Sequence, residues 1–149
     1  MHLRFVENTI IIDKSPEAVL DAFTTPSDLN AWWGVNRSLI ELKKGGLYSL
    51  LWQSNDNAID FVTTGIIGEY IPGCQLKIEN MVYFNPVRPV FGPMRLIVLT
   101  TPERIGTTLT VVQDGYQLSP DWDWYYNIVR ETWPRAILKI KDYLENRKD

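Results

Sequence analysis

Side chains able to do covalent or metal chemistry are scarce in this sequence. Its one cysteine is Cys74 and its one histidine is His2, close to the N-terminus. Zinc takes several nitrogen or sulfur ligands, and these two residues leave little for such a site. There is no Gly-x-Ser-x-Gly elbow and no serine with a usable histidine to activate it. No phosphate-binding glycine loop or dinucleotide fingerprint appears, and no cofactor or metal is expected. Carboxylates stand at Asp60, Glu69, Glu79 and Asp114. Their spacing makes no two of them a pair for acid–base work, and surface solvation is the expected role.

What the chain holds in quantity is rings: six Trp, seven Tyr and five Phe. Trp32 and Trp33 are adjacent, just before Gly34. With Leu29 they are three and four residues apart, so on a helix all three can face one way. They either pack as the core of a short helix, or one packs while the other caps the mouth of a pocket. Tyr48, Leu50 and Trp52 alternate onto one strand face. That face either packs on a helix or lines a cavity, and both roles need the same burial. Gln113 alternates with Leu109 and Val111 on an apolar face, where a buried amide must find partners. Those partners are either the backbone or a ligand that the amide orients.

Residues 85 to 93 hold three prolines in nine positions, which reads as a loop that cannot join a central strand. It is either a surface connector or a lid, with Arg88 on it and Phe91 folding over the mouth. Trp122, Tyr126, Val129, Trp133, Ile137, Ile140 and Leu144 recur at steps of three and four, one continuous helical stripe. Trp124 falls nearly opposite the stripe. An exposed ring there would mark a contact surface such as a homodimer's, unless the helix start tucks it in. Arg95 lies on a strand beside apolar neighbours. Aimed inward, it would favour an enzyme; exposed to solvent, it would not.

The elements that must position these residues follow from start, stop and periodicity signals. Residues 4 to 13 are strand-like and rich in β-branched side chains. Ser15-Pro16-Glu17, Thr25-Pro26-Ser27-Asp28 and Ser119-Pro120-Asp121 each read as a helix start, with a cap, a proline in the first turn and an acid near the positive end of the helix dipole. Gly34 is a natural C-cap for the second short helix. From about residue 37 to 115 the pattern is that of about six strands, with turns at Gly45-Gly46, at residues 54 to 57 and at Pro72-Gly73. Pro134 inside the last helix predicts a kink near Arg130 to Trp133, or a fresh start at Pro134. Short turns make the sheet antiparallel, and one long amphipathic helix must bury its stripe on it. A cavity can remain between the two layers.

At 149 residues the chain suits one domain, expected to span residues 1–149. A net charge of −3 argues against a broad nucleic-acid surface. A lone cysteine allows no internal disulfide and fits a reducing compartment. The N-terminus does not read as a signal peptide, and no apolar run approaches the ~20 residues that cross a bilayer. The expected location is cytoplasmic, with no membrane partner.

The order of these signals resembles the activator of Hsp90 ATPase homologue 1 type of domain, within the START-like superfamily. The residues that carry the resemblance are Ser15 to Val19 with Phe23, Pro26 with Leu29 and Ala31 to Gly34, and Gly45-Gly46 with Tyr48. They continue through Gly65 to Pro72, Thr108 to Thr110 with Asp114 to Tyr116, and Trp133 to Arg135 leading to Tyr143 to Glu145. The resemblance implies an α+β helix-grip fold: a curved antiparallel sheet around a long C-terminal helix, with two short helices after the first strand. It also implies a hydrophobic cavity between sheet and helix. The family often has a histidine where this chain has Gln113, so any role of that histidine does not carry over. The leading expectation is binding of a small, mostly apolar or aromatic ligand, with Trp32, Trp33, Tyr48, Leu50, Trp52, Phe91, Tyr126 and Trp133 as walls and Gln113 as polar anchor. The resemblance adds two rivals, a modulator of a chaperone ATPase and a cyclase- or hydratase-like enzyme.

Overall fold

Local sequence signals become elements with little change. The computed structural model describes residues 4–148, so His2 lies outside the described residues. Strand β1 is Phe5–Ile12. Helix α1 (Pro16–Asp21) starts where Ser15 Oγ accepts the Ala18 amide at 3.1 Å, the expected N-cap. Helix α2 (Pro26–Trp33) stops at Gly34, whose φ of 72° is the left-handed conformation glycine adopts freely. Six strands follow: β2 (Arg37–Ile40), β3 (Leu47–Trp52), β4 (Phe61–Ile71), β5 (Gln75–Phe84), β6 (Phe91–Pro102) and β7 (Thr107–Asp114). Helix α3, Pro120–Asn146, closes the chain, and Ser119 Oγ accepts the Trp122 amide at its start.

The seven strands form one antiparallel sheet in the order β1-β7-β6-β5-β4-β3-β2. Period-2 alternation buries one face: Tyr48 and Leu50 on β3, Leu76 and Ile78 on β5, Leu96 and Val98 on β6, Leu109, Val111 and Gln113 on β7. Helix α3 lies across that inner face, and α1 and α2 close one end. The C-terminal half of α3 is tied down by polar contacts. Lys141 Nζ donates to the Ile11 carbonyl at 2.6 Å, and Glu145 accepts the Asp13 amide at 2.9 Å. Buried Asp28 on α2 accepts from the Tyr143 hydroxyl at 2.5 Å and from Arg147 at 3.0 Å.

Three expectations need correction. The proline-rich loop ends at Val90, because Phe91, Gly92 and Pro93 already belong to β6, a central strand. Pro93 is tolerated because the β5–β6 register shifts on both sides of the Met81–Met94 pair, and an irregular ladder there has no regular donor to lose. Of the kink or fresh start expected at Pro134, the fresh start is the one that fails, because the last helix runs unbroken through it. Pro134 and Arg130 are both exposed, so the carbonyl that proline leaves unbonded can turn to water. Finally, Tyr125 and Ala136 join the buried stripe of α3, and Tyr126 is only half-buried.

Candidate functional site

Between sheet and α3 the aromatic side chains make a continuous row. It begins at α2, where the Trp32 and Trp33 rings stack at 4.8 Å between centroids. Both also meet the buried Phe23 ring edge-on. Trp33 then touches Trp52 of β3 and Trp133 of α3, each at 5.3 Å. The row continues along the strand ends, from Trp52 to Phe61 (4.8 Å), Phe61 to Tyr83 (5.9 Å) and Tyr83 to Tyr125 of α3 (4.8 Å). Phe91 stacks on Tyr125 at 4.9 Å and meets Trp122 at 5.1 Å. Register explains the sheet part. Trp52 pairs with Phe61, and Tyr83 pairs with both Thr63 and Phe91, so these rings share the inner face.

The polar handles of these rings are met by the chain itself. Trp32 Nε1 donates to the Ala22 carbonyl at 2.8 Å, and the Tyr48 hydroxyl to the Phe23 carbonyl at 2.6 Å. Trp52 Nε1 donates to the Trp33 carbonyl at 2.9 Å, which fastens β3 to α2. Gln113 is buried between β7 and α3. Its Oε1 accepts from Trp133 Nε1 at 3.1 Å, and its Nε2 donates to the Tyr125 hydroxyl at 3.2 Å. The amide therefore bonds two helix side chains, not the backbone, and acts as a polar rivet under α3. Gln113→Leu keeps the volume but strips both rings of a partner. A loss of roughly 2–4 kcal/mol of stability is expected, measurable by urea denaturation with an unchanged slope of the transition.

Burial sets the electrostatics. Desolvation pushes the phenols of Tyr48, Tyr116 and Tyr125 well above the ordinary tyrosine range; at Tyr125 the Gln113 bond pulls modestly the other way. The Tyr116 hydroxyl is buried with no hydrogen-bond partner. These groups are therefore neutral and unsuited to proton transfer near neutrality. Among the described residues no group of three or more His, Cys, Asp or Glu converges as a metal ion would need.

The structure thus brings together Trp32, Trp33, Trp52 and Trp133 at one end of the row, and Phe91 with Tyr125 at the other. Tyr48 and Leu50 are fully enclosed behind the first group. Phe91 sits inside the core and not on a lid. Tyr126 stands aside, edge-on to Tyr116 and beneath the guanidinium groups of Arg4 and Arg130. Trp124 is half-buried, with the Arg88 guanidinium 4.0 Å over its ring, so it is not the open contact surface that its position opposite the stripe suggests. Arg95 points out of the sheet into an exposed pair with Asp114 at 2.6 Å. Sequence reading overlooked Phe61, Tyr83 and Tyr125. The first two show only through strand register, which no local pattern fixes.

A curled antiparallel sheet gripping one long C-terminal helix, with two short helices after the first strand, is the helix-grip architecture. Within it, the chain belongs to the activator of Hsp90 ATPase homolog 1-like protein family, matched over residues 13–145. Solved structures agree on the fold. A Mesorhizobium loti protein shares 20% identity, with a TM-score of 0.76 over 98% of this chain and 100% of its own. A Nitrosomonas europaea protein shares 17%, with a TM-score of 0.73 over 97% and 96%. The Aha1 dimer from Colwellia psychrerythraea, solved in solution, shares 16%, with a TM-score of 0.72 over 98% and 99%. No curated protein matches the sequence. Among the described residues no helix is long and apolar enough to cross a membrane.

Proposed function

We propose that the chain binds a small, flat, mostly apolar or aromatic molecule between the inner sheet face and the N-terminal half of α3. The observation that supports this is the half-buried stretch of the ring row: Trp33, Trp52, Phe61 and Tyr83 each keep part of their surface open. An aromatic face in that state still has stacking capacity to offer. The polar handles nearby are already engaged, so recognition rests on shape and stacking more than on hydrogen bonds. A guest enters by parting ring contacts, since Trp33 touches Trp52 and Phe61 touches Tyr83.

Native mass spectrometry of the purified protein, followed by denaturation and extraction, tests the reading. A released apolar molecule is expected, and its affinity should fall in Trp52→Ala. A folded Trp52→Ala protein with undiminished affinity would count against it. The family match favours a second reading, modulation of a chaperone ATPase, for which co-precipitation of the chaperone is the test. A cyclase- or hydratase-like activity has less support, because Arg95 faces solvent in its pair with Asp114.

A further inference from the structure

The two edges of the sheet are finished differently. The edge strand β1 is guarded by α3, whose Lys141 and Glu145 take up the Ile11 carbonyl and the Asp13 amide. At the other edge, strand β2, no hydrogen bond from a side chain reaches the backbone of Ser38 or Ile40 among the described residues. The direction of those groups follows from the ladder. The Glu41 amide donates to the Leu47 carbonyl at 2.9 Å, toward β3. Alternation turns the backbone groups of Leu39 and Arg37 the same way, and those of Ser38 and Ile40 to the free edge. The side chains of Arg37, Leu39 and Glu41 share the outer face and are all exposed, Leu39 at 63%. An open groove of about 450 Å³ borders the strand, lined by Pro26, Val35, Leu39 and Leu51 together with the polar Asn36, Arg37, Ser38 and Ser49. Unpaired edge groups on an open, uncovered edge strand are a template for one more strand.

We propose that this strand is β2 of a second copy of the chain, paired antiparallel about a two-fold axis at Leu39. In that register Ser38 of each copy faces Ile40 of the other, and their outward groups exchange both backbone bonds. Leu39 meets Leu39 in the closer, non-hydrogen-bonded spacing. Arg37 of each copy then lies opposite Glu41 of the other, so the register that satisfies the backbone also sets opposite charges face to face. Its neighbours do not: a shift of one pairing step places Arg37 against Leu39 in one direction and against Lys43 in the other. Within one copy Glu41 is held only loosely by Lys43, at 3.6 Å, and Arg37 makes no ion pair among the described residues. The contact is isologous and joins the two sheets into one. Two short strands bury little area, so the dimer should depend on protein concentration and on salt.

Charge exchange tests the register. Sedimentation equilibrium at low salt should show a reversible monomer–dimer equilibrium for the wild type. Arg37→Glu and Glu41→Arg should each weaken it by about tenfold or more, since like charges then meet twice across the axis. The double exchange should restore it. Leu39→Lys should also abolish association, and far-UV circular dichroism should report the same fold for all variants. Amide exchange followed by NMR should slow at Ser38 and Ile40 as concentration rises. A chain that stays monomeric at every concentration overturns the proposal. So does association insensitive to Arg37→Glu, or a double exchange that fails to restore it.

Discussion

Trp133→Ala should lower the unfolding free energy by about 3–5 kcal/mol, the range for removing a large buried aromatic. The ring packs on Trp33 at 5.3 Å, and its Nε1 is one of the two partners of Gln113. Its loss empties ring-sized space beneath α3 and leaves the Gln113 oxygen without its donor, so the cost belongs at the upper end of the range. The variant also probes the interior directly. Indole, the side chain as a free molecule, should raise the thermal midpoint of Trp133→Ala as its concentration rises, and by more than it raises that of the wild type. Calorimetric melts with and without indole decide this. A variant that loses the expected stability but ignores indole would mean that its neighbours collapse into the gap, and that the row does not hold its shape around a guest.

Alkaline pH should unfold the protein over a narrow range. Burial raises the phenol pKa values of Tyr48, Tyr116 and Tyr125 in the folded state, while the unfolded chain titrates near the ordinary value of about 10. A raised folded-state pKa means that the stabilising contribution is complete below that ordinary value and is lost as pH rises above it. Each of these tyrosines adds up to about 1.4 kcal/mol of lost stability per pH unit above ~10. Three acting together can consume the margin of a typical domain within a few pH units. Urea midpoints at rising pH, followed alongside tyrosinate absorbance, check the slope. Tyr48→Phe should flatten it by one tyrosine's share. That variant also loses the bond to the Phe23 carbonyl, so the slope, and not the absolute stability, is the quantity to compare.

Much of this architecture is legible in single residues. Ser15 and Ser119 announce their helices because a short hydroxyl can reach an amide three residues on, a contact that needs no tertiary structure. Tyr48, Leu50 and Gln113 declare their inward faces because strand periodicity is strictly two. The misread positions are those where a second element decides. Phe91 joins a central strand despite Pro93 because β5 supplies an irregular ladder there. Tyr125 faces inward because Gln113 and Tyr83 lie beneath it, and the spacing of the stripe alone admits either neighbouring tyrosine. The partners of Gln113 were out of reach for the same reason, since both sit on α3 twelve or twenty residues further along the chain.

Pro134 divides the fastening of α3 into two kinds. Beyond it, Lys141, Tyr143 and Glu145 bind the helix to β1 and α2 through several charged or polar contacts. Before it, the helix rests mainly on rings, with Gln113 as its link to the inner face of β7 and one ion pair, Asp123 with Arg4 at 2.6 Å, at its first turn. The step in the hydrogen-bond ladder falls at the boundary between these halves. Opening of the first half can then be a local event with its own free energy, smaller than that of global unfolding. Traffic to the aromatic interior would have a kinetic gate in that half-helix, and the C-terminal half would keep the molecule's register while it swings.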